Sequence, residues 1–319
     1  MNHTPEKSGP LVGVVVVTYN GSYWIGSCIK SIQGSTYSNI VIVVIDNASR
    51  DDTVLILEKE FPGLKVIQFP RNRGYAAASN KGIEVVMSLG AEFVLILNQD
   101  IVLEEKCIEE MVWAAQEKGS SAIYSPFQLS YDGEHLDPIF ARNVVGKSAE
   151  IVSDLWRGRL ARTYQVEEII GAAMMVHSRV LKSIGMLDEL FFMYGEDSDY
   201  CRRAKCAGFY LCIVPSAVVR HWHALAQPTE GQSRVDFFFE RSELLYLLKD
   251  PTQTFVHRIL KATWCSFRGF WWNFRRGQIR RAAESIQTYF SVVKKLPYIE
   301  RACRIDSRMI KKALMGDGK

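Results

Sequence analysis

Four short apolar segments alternate with helical patterns in the first hundred residues, and this alternation limits the folds open to the chain. The segments LVGVVVV, IVIVVI, LKVIQF and EFVLIL are rich in β-branched residues and bounded by polar turns, which is typical of strands buried on both faces of a parallel sheet. Between them, GSYWIGSCIKSIQGS, DDTVLILEKEF and YAAASNKGIEVVMSLG carry helical spacing or capping residues. The order predicts an α/β fold with a doubly wound, mostly parallel sheet flanked by helices.

The later sequence is harder to interpret. In 104–165 only a helix near 104–118 is predicted; EEIIGAAMMVHS then indicates a strand, SRVLKSIGMLDE a short helix and turn, and SDYCRRAKCAG a helix. From residue 233 the alternation ends, and SRVDFFFERSELLYLLKD indicates an amphipathic helix. We therefore predict an α/β domain at 1–232 and a C-terminal helical, basic and aromatic extension at 233–319.

Charge is distributed unevenly along the chain. Residues 253–312 contain 14 Lys or Arg against 3 Asp or Glu, whereas residues 1–252 contain 24 against 31. The two parts are expected to meet different surroundings. The start MNHTPEKSGP lacks the basic and apolar regions of a secretory signal, and no apolar run approaches the roughly 18 residues that span a bilayer. These features predict a cytoplasmic protein without a transmembrane helix, whose seven cysteines are reduced.

Polar residues follow each of the four predicted strands. Because ligands of doubly wound sheets bind beyond the carboxyl ends of the strands, these residues are expected to converge on one cleft. The candidates for nucleotide binding are Thr18, Tyr19, Asn20, Asp46, Asn47, Arg73, Gly74, Asn98 and Asp100.

Two of these positions have a specific chemical interpretation. Asp46 could accept a hydrogen bond from a uracil or thymine imide or from a ribose hydroxyl, although DNASRDDT could also be only a turn before a helix. Gly74 and the alanines after it would let a diphosphate approach a helix N-terminus, although small residues also serve tight helix packing.

A divalent cation is predicted at LNQD. Asp100 would hold Mg²⁺ or Mn²⁺, since such ions need few protein carboxylates when a diphosphate supplies other oxygens. Asn98 could orient a ribose or a metal-bound water. In RHWH, His221 is the candidate further ligand; a structural, hydrogen-bonded histidine is the alternative for it and for His223.

The segment GEDSDYCRR places three carboxylates within four positions. Asp199 is explained by the helix start and by an ion pair with Arg203 at i+4. Glu196 and Asp197 follow an aromatic run, where a raised pKa would suit a general base.

Together, VVTYN, VIDNASRDDT, NRGYAAASNKG, LNQD, GAAMMVHSRVLKSIGMLDELFFMYGEDSDYCRRAKCAGF and RHWH resemble the inverting glycosyltransferases of family 2 with the GT-A fold. The likeness runs over about 11–250 and is greatest to the bacterial rhamnosyltransferase-like branch. It implies a nucleotide-diphosphate sugar donor, a divalent metal and transfer to an acceptor hydroxyl with inversion.

Matched position by position, Thr18, Asp46 and Gly74 fall in nucleotide-binding motifs of that family. The resemblance implies that Asp197 is the base and that Glu196 positions the acceptor or the base. Asp100 matches the retained carboxylate of its Asp-x-Asp metal motif, and His221 matches its later metal-binding histidine. Asn98 stands where many members carry Asp, so a direct Asn98–metal bond is less expected.

The resemblance also points to dTDP-rhamnose as donor and to a glycan or polyprenyl-diphosphate-linked acceptor in polysaccharide or O-antigen assembly. UDP-hexoses, UDP-N-acetylhexosamines and a non-catalytic sugar-nucleotide-binding subunit remain alternatives. An oxidoreductase is disfavoured because TYNGS replaces a GxGxxG turn.

The basic extension suggests a location at the inner face of the membrane. One helical stripe would combine aromatic residues with surrounding arginines, as helices in an anionic membrane interface do; packing on the α/β domain is the alternative. No nucleic-acid partner is expected, since no recognised binding module accompanies the charge. The stripe consists of Leu260, Trp264, Phe267, Trp271 and Phe274.

Overall fold

The computed structural model describes residues 9–118, 122–222 and 232–316. Its first half contains the predicted β-α-β-α-β-α-β order. The elements are β1 Val12–Thr18, α1 Ile25–Gln33, β2 Ile40–Asp46, α2 Thr53–Glu60, β3 Lys65–Gln68, α3 Tyr75–Ser88 and β4 Phe93–Asn98. Strand β1 is central and parallel to both β2 and β4, with Thr18 beside Asp46 and Val17 beside Asn98. The polar strand ends thus meet at one edge, as predicted.

The second half adds strands that turn the sheet into a mixed one. The elements are β5 Ile101–Leu103, α4 Cys107–Lys118, β6 Ala122–Ser130, α5 Pro138–Asn143, a 3-10 helix Val145–Lys147, α6 Ala149–Arg157, β7 Tyr164–Gln165, β8 Ala173–His177, α7 Ser178–Ile184, α8 Glu196–Cys206 and β9 Tyr210–His221. The order is β3-β2-β1-β4-β8-β6-β9-β5, with β7 beside β9. Strand β8 is antiparallel to β4 and β6, and β5 is antiparallel to β9. The α/β class is confirmed, and parallel pairing dominates its N-terminal half.

Hydrophobic clusters cover both faces of the sheet. In β1, Val12, Val14 and Val16 face one cluster, while Val15 and Val17 face the other, because successive strand side chains point to opposite faces. Helix α3 approaches β1 so closely that a Cβ at Gly82 would overlap Val15 Cγ1. Gly82, in that small-residue segment, therefore serves tight helix packing.

The C-terminal extension is helical. It consists of α9 Gln232–Leu248, α10 Phe255–Arg275, α11 Ile279–Val293 and α12 Leu296–Gly316. These helices share a small core with Phe191, which precedes α8. Within residues 9–118, 122–222 and 232–316, every helix is too short or too polar to span a bilayer.

Candidate active site

A cleft of about 770 Å³ opens where β1, β2 and β4 end. Its wall combines residues after those strands with the turn before β8, the first turn of α8 and one side of α9. Eight of the predicted site residues line it: Tyr19, Asn47, Gly74, Asn98, Asp100, Glu196, Asp197 and His221. Four others, Thr18, Asn20, Asp46 and Arg73, are not among its lining residues but lie directly next to them in sequence. His223 lies outside the described residues.

The loop after β1 is held by hydrogen bonds to its neighbours. Thr18 Oγ1 donates to Gln99 Oε1 at 2.5 Å, and the Tyr19 N–H donates to the same oxygen at 2.9 Å. Asn20, at φ 50°, accepts the N–H of Arg50 through Oδ1 at 2.8 Å. Gln99 lies in the LNQD motif but was not predicted as a site residue; its contacts join the ends of β1 and β4.

Asn47 fixes the segment that begins α3. Its Oδ1 accepts the Arg73 N–H at 2.8 Å, and its Nδ2 donates to the Gly74 carbonyl at 3.1 Å. Gly74 has φ 89°, and a Cβ there would overlap the Phe192 carbonyl oxygen. Glycine is therefore required by backbone conformation and by space.

Asp46 and Arg73 make local contacts. Both carboxylate oxygens of Asp46 accept the Ser49 N–H at 3.2 Å, as in the alternative turn interpretation. The Arg73 guanidinium lies 5.0 Å from the centre of the Phe69 ring and 3.6 Å from Glu189. Their roles in nucleotide binding stay predictions.

Asp100 and His221 lie side by side because β5 pairs with β9. Ile101 is opposite His221, and the Trp222 N–H donates to the Asp100 carbonyl. Asp100 Oδ1 is 3.7 Å from His221 Nε2. Two ligand atoms each about 2.1 Å from one cation are at most about 4.2 Å apart, so this pair fits a divalent ion. The carboxylate suits either Mg²⁺ or Mn²⁺, and the imidazole nitrogen favours Mn²⁺ over the oxygen-preferring Mg²⁺.

Glu196 and Asp197 occupy the first turn of α8, after two residues with positive φ, Tyr194 and Gly195. Burial, reinforced by Asp197, raises the pKa of Glu196 to about 8. Burial also raises the pKa of Asp197, opposed by N–H groups of Gly171 and Ser198 that donate to it at 2.8 Å. These carboxylates hold protons more tightly than exposed ones do, as a general base requires.

Asp199 in the same turn has a different environment. It accepts from Arg203 Nε at 2.9 Å, as predicted at i+4, and from Lys249 Nζ at 3.0 Å. Despite burial, the cations lower its pKa to about 2. Asp188, Asp199 and Asp306 come close enough to hold a cation. The Lys249 ammonium lies among them at 2.5–3.2 Å, so the positive charge there belongs to the protein itself.

Helix α9 forms part of the cleft wall. The Tyr194 ring stacks on Phe239 with centres 3.9 Å apart, and Ser242 Oγ donates to the Met193 carbonyl at 3.0 Å. Glu243 and Tyr246 also line the cleft. The sequence did not predict any contribution from α9, whose aromatic residues were interpreted only as an amphipathic pattern.

The fold and this cleft define an α/β protein of the GT-A type. Among solved structures it resembles S. aureus TarS 1-349 in complex with UDP-GlcNAc, with a TM-score of 0.55 and 15% identity, covering 96% of this chain and 90% of that one. It also resembles GalNAc-T7 with UDP, GalNAc and Mn²⁺, with a TM-score of 0.53 and 16% identity, covering 77% and 51%. The profile of "Glycosyl transferase family 2" matches residues 13–182. The chain belongs to this family.

Curated relatives are similar at low identity. The "N-acetylglucosaminyl-diphospho-decaprenol L-rhamnosyltransferase" of Mycobacterium tuberculosis is 24% identical over 66% of this chain and 76% of its own. The "dTDP-rhamnosyl transferase RfbF" of Shigella flexneri is 26% identical over 65% and 67%. The "Low-salt glycan biosynthesis hexosyltransferase Agl10" of Haloferax volcanii is 26% identical, and the chain spans 61% of its length.

Proposed function

We propose that this protein is an inverting, metal-dependent glycosyltransferase that moves a sugar from a nucleotide-diphosphate donor to a hydroxyl group. The observation that carries the proposal is the joint presence of Asp100, Glu196, Asp197 and His221 in one cleft at the strand ends. A cation-binding pair and a buried pair of carboxylates are the two chemical devices that such a transfer needs.

In the proposed reaction, Asp197 takes the proton of the acceptor hydroxyl as its oxygen bonds to the anomeric carbon. The bond from that carbon to the diphosphate breaks, and its electron pair leaves with the diphosphate. The N–H groups of Gly171 and Ser198 hold the Asp197 carboxylate in one orientation. A cation held by Asp100 and His221 would neutralise charge on the departing diphosphate.

The proposed donor is dTDP-rhamnose, and the proposed acceptor is a glycan or a polyprenyl-diphosphate-linked glycan. The names of the Shigella and Mycobacterium relatives, both rhamnosyl transferases, support this choice. UDP-hexose and UDP-N-acetylhexosamine are the alternative donors, since the solved relative TarS contains UDP-GlcNAc.

The experiment is to incubate the purified chain with Mn²⁺ and each of dTDP-rhamnose, UDP-glucose and UDP-N-acetylglucosamine, and to measure release of nucleoside diphosphate. Fastest release from dTDP-rhamnose, abolished by EDTA, is expected; NMR of a transferred sugar reports inversion. Binding of donors without release from any of them would favour the alternative of a non-catalytic binding subunit.

We also propose that α10 binds to the inner face of an anionic membrane. Leu260, Trp264, Phe267, Trp271 and Phe274 are 46–64% exposed, so the stripe is not packed on the described part of the α/β domain. The Arg276 guanidinium lies 4.1 Å from the centre of the Trp272 ring. Aromatic side chains at a lipid interface with arginines at the headgroups are typical of surface-bound helices.

Flotation with vesicles tests this surface. The chain should float with phosphatidylglycerol-containing vesicles and much less with pure phosphatidylcholine, and Trp264→Ser with Trp271→Ser should abolish flotation. Trp156→Ser removes an 89% exposed tryptophan of α6 and should leave it unchanged. Equal flotation of all three proteins would refute the assignment to α10.

A further inference from the structure

Asp137 is fully buried behind His221, and its two carboxylate oxygens have separate contacts. Oδ2 lies 3.1 Å from His221 Nδ1. Oδ1 accepts the N–H groups of Ile139 and Phe140 at 2.9 and 2.8 Å, which caps the start of α5. One side chain therefore joins a helix start to the ring of the candidate metal ligand.

This contact determines which nitrogen of His221 carries the proton. A carboxylate only accepts hydrogen bonds, so Nδ1 must be the donor in the neutral ring, and Nε2 then presents its lone pair. It is Nε2 that faces Asp100, at 3.7 Å. Metal-binding histidines generally donate their other ring N–H in this way, and the partner fixes ring orientation and basicity.

We propose that Asp137 is a positioning residue, which sets the tautomer and the ring orientation of His221 so that Nε2 is offered to the divalent cation at Asp100. The inference rests on the metal use proposed above and adds to it a residue that touches neither donor nor acceptor. The competing interpretation is that Asp137 only caps α5.

Asp137→Asn separates the two interpretations. The cap needs an acceptor that faces the N–H groups of Ile139 and Phe140, so the amide oxygen takes the position of Oδ1, and asparagine caps about as well as aspartate. The amide nitrogen then faces His221 and donates to Nδ1. The ring proton moves to Nε2, which can no longer bind a cation.

The measurement uses Mn²⁺ with the full chain, alone and with UDP or dTDP. Mn²⁺ affinity is measured from the EPR signal of the free ion, and pulsed EPR detects the ¹⁴N coupling of a bound imidazole. We expect this coupling in the unsubstituted chain and its loss in Asp137→Asn, together with about 10–100-fold weaker Mn²⁺ binding. His221→Ala should show the same loss, and the Tm without metal should be nearly unchanged in Asp137→Asn.

Ser148→Ala is the matched control for capping. Ser148 Oγ accepts the Ile151 N–H at the start of α6, so this variant loses a cap without affecting His221. Its Tm should fall while its Mn²⁺ affinity and ¹⁴N coupling persist.

Unchanged affinity and coupling in Asp137→Asn would overturn the inference and leave the proposed transferase activity intact, because donor turnover measures that activity separately. Mn²⁺ binding by the unsubstituted chain without ¹⁴N coupling would also overturn it, since His221 would not be a ligand. Absence of any Mn²⁺ binding would remove the proposed metal role and this inference together.

Discussion

The first turn of α8 contains two kinds of carboxylate, which differ in the direction they face. Glu196 and Asp197 face the cleft and have raised pKa values, whereas Asp199 faces cationic side chains and has a pKa of about 2. The helix dipole favours the charged form of all three, but by no more than about 2 kcal/mol even in partly buried geometries. Burial outweighs the dipole at the cleft, and ion pairs outweigh burial at Asp199. The surroundings of each carboxylate, rather than its position in the helix, therefore determine whether its pKa is raised, as a general base requires, or lowered, as in a structural ion pair.

The largest expected effect is on activity, from Asp197→Asn. The amide cannot accept the hydroxyl proton, so we expect kcat to fall by about 10²–10⁴-fold, the usual contribution of a positioned base. Nucleoside diphosphate affinity, measured by calorimetry, should be unchanged. Asp52→Asn changes an exposed aspartate before α2 and should keep normal turnover. Near-normal turnover in Asp197→Asn would exclude Asp197 as the base.

The next effect is on stability, from Lys249→Met. The ammonium contacts Asp188, Asp199 and Asp306, and its removal leaves one buried and two partly buried carboxylates without their central cation. We expect the free energy of unfolding to fall by about 3–5 kcal/mol in urea titrations. Lys30→Met removes an exposed ion pair with Glu60 and should cost no more than about 1 kcal/mol. Equal losses in the two variants would contradict the structural role of the cluster.

The pH dependence of folding stability should have opposite signs for the two kinds of carboxylate. Glu196 has a model-peptide pKa of 4.5 and a folded pKa of about 8, so the folded state keeps a proton that the unfolded state releases, and stability falls as pH rises through this window. Asp199 has a folded pKa of about 2 against 3.8, so its contribution is present above 3.8 and is lost as pH falls toward 2.

Glu196→Gln removes the loss of stability that Glu196 causes as pH rises. The unfolding free energy of Glu196→Gln, measured by urea titration and taken relative to the unsubstituted chain, should rise by on the order of 4 kcal/mol between pH 5 and pH 8.5. The acid limb below pH 4, which Asp199 helps to determine, should stay. A constant difference between the two proteins across pH 5–8.5 would show that Glu196 does not titrate there.

The sequence predicted the part of the fold and site that depends on strand ends. Parallel strands bring their carboxyl ends to one edge, so the proximity of Thr18, Asp46 and Asn98 followed from the α/β pattern. Asp199 with Arg203 followed from helical spacing. Asp137 could not be found, because it meets His221 only through tertiary structure across 84 positions. The contacts of α9 with the cleft could not be predicted from the sequence for the same reason.

The smallest effect should come from Gly171→Ala, which tests how closely Asp197 must be placed. A Cβ at Gly171 would lie 2.9 Å from Asp197 Cβ, too close for a real contact, so the Asp197 side chain or the turn before β8 must shift. Since a misplacement of about 1 Å can cost about 10²-fold, we expect kcat to fall about tenfold with the donor KM nearly unchanged. Gly63→Ala, where nothing lies within 4 Å of the new Cβ, is the control and should keep full turnover. A lower kcat in Gly171→Ala but not in Gly63→Ala would tie activity to the position of the cleft-facing carboxylate, because Asp199 and its cations are not touched by either change.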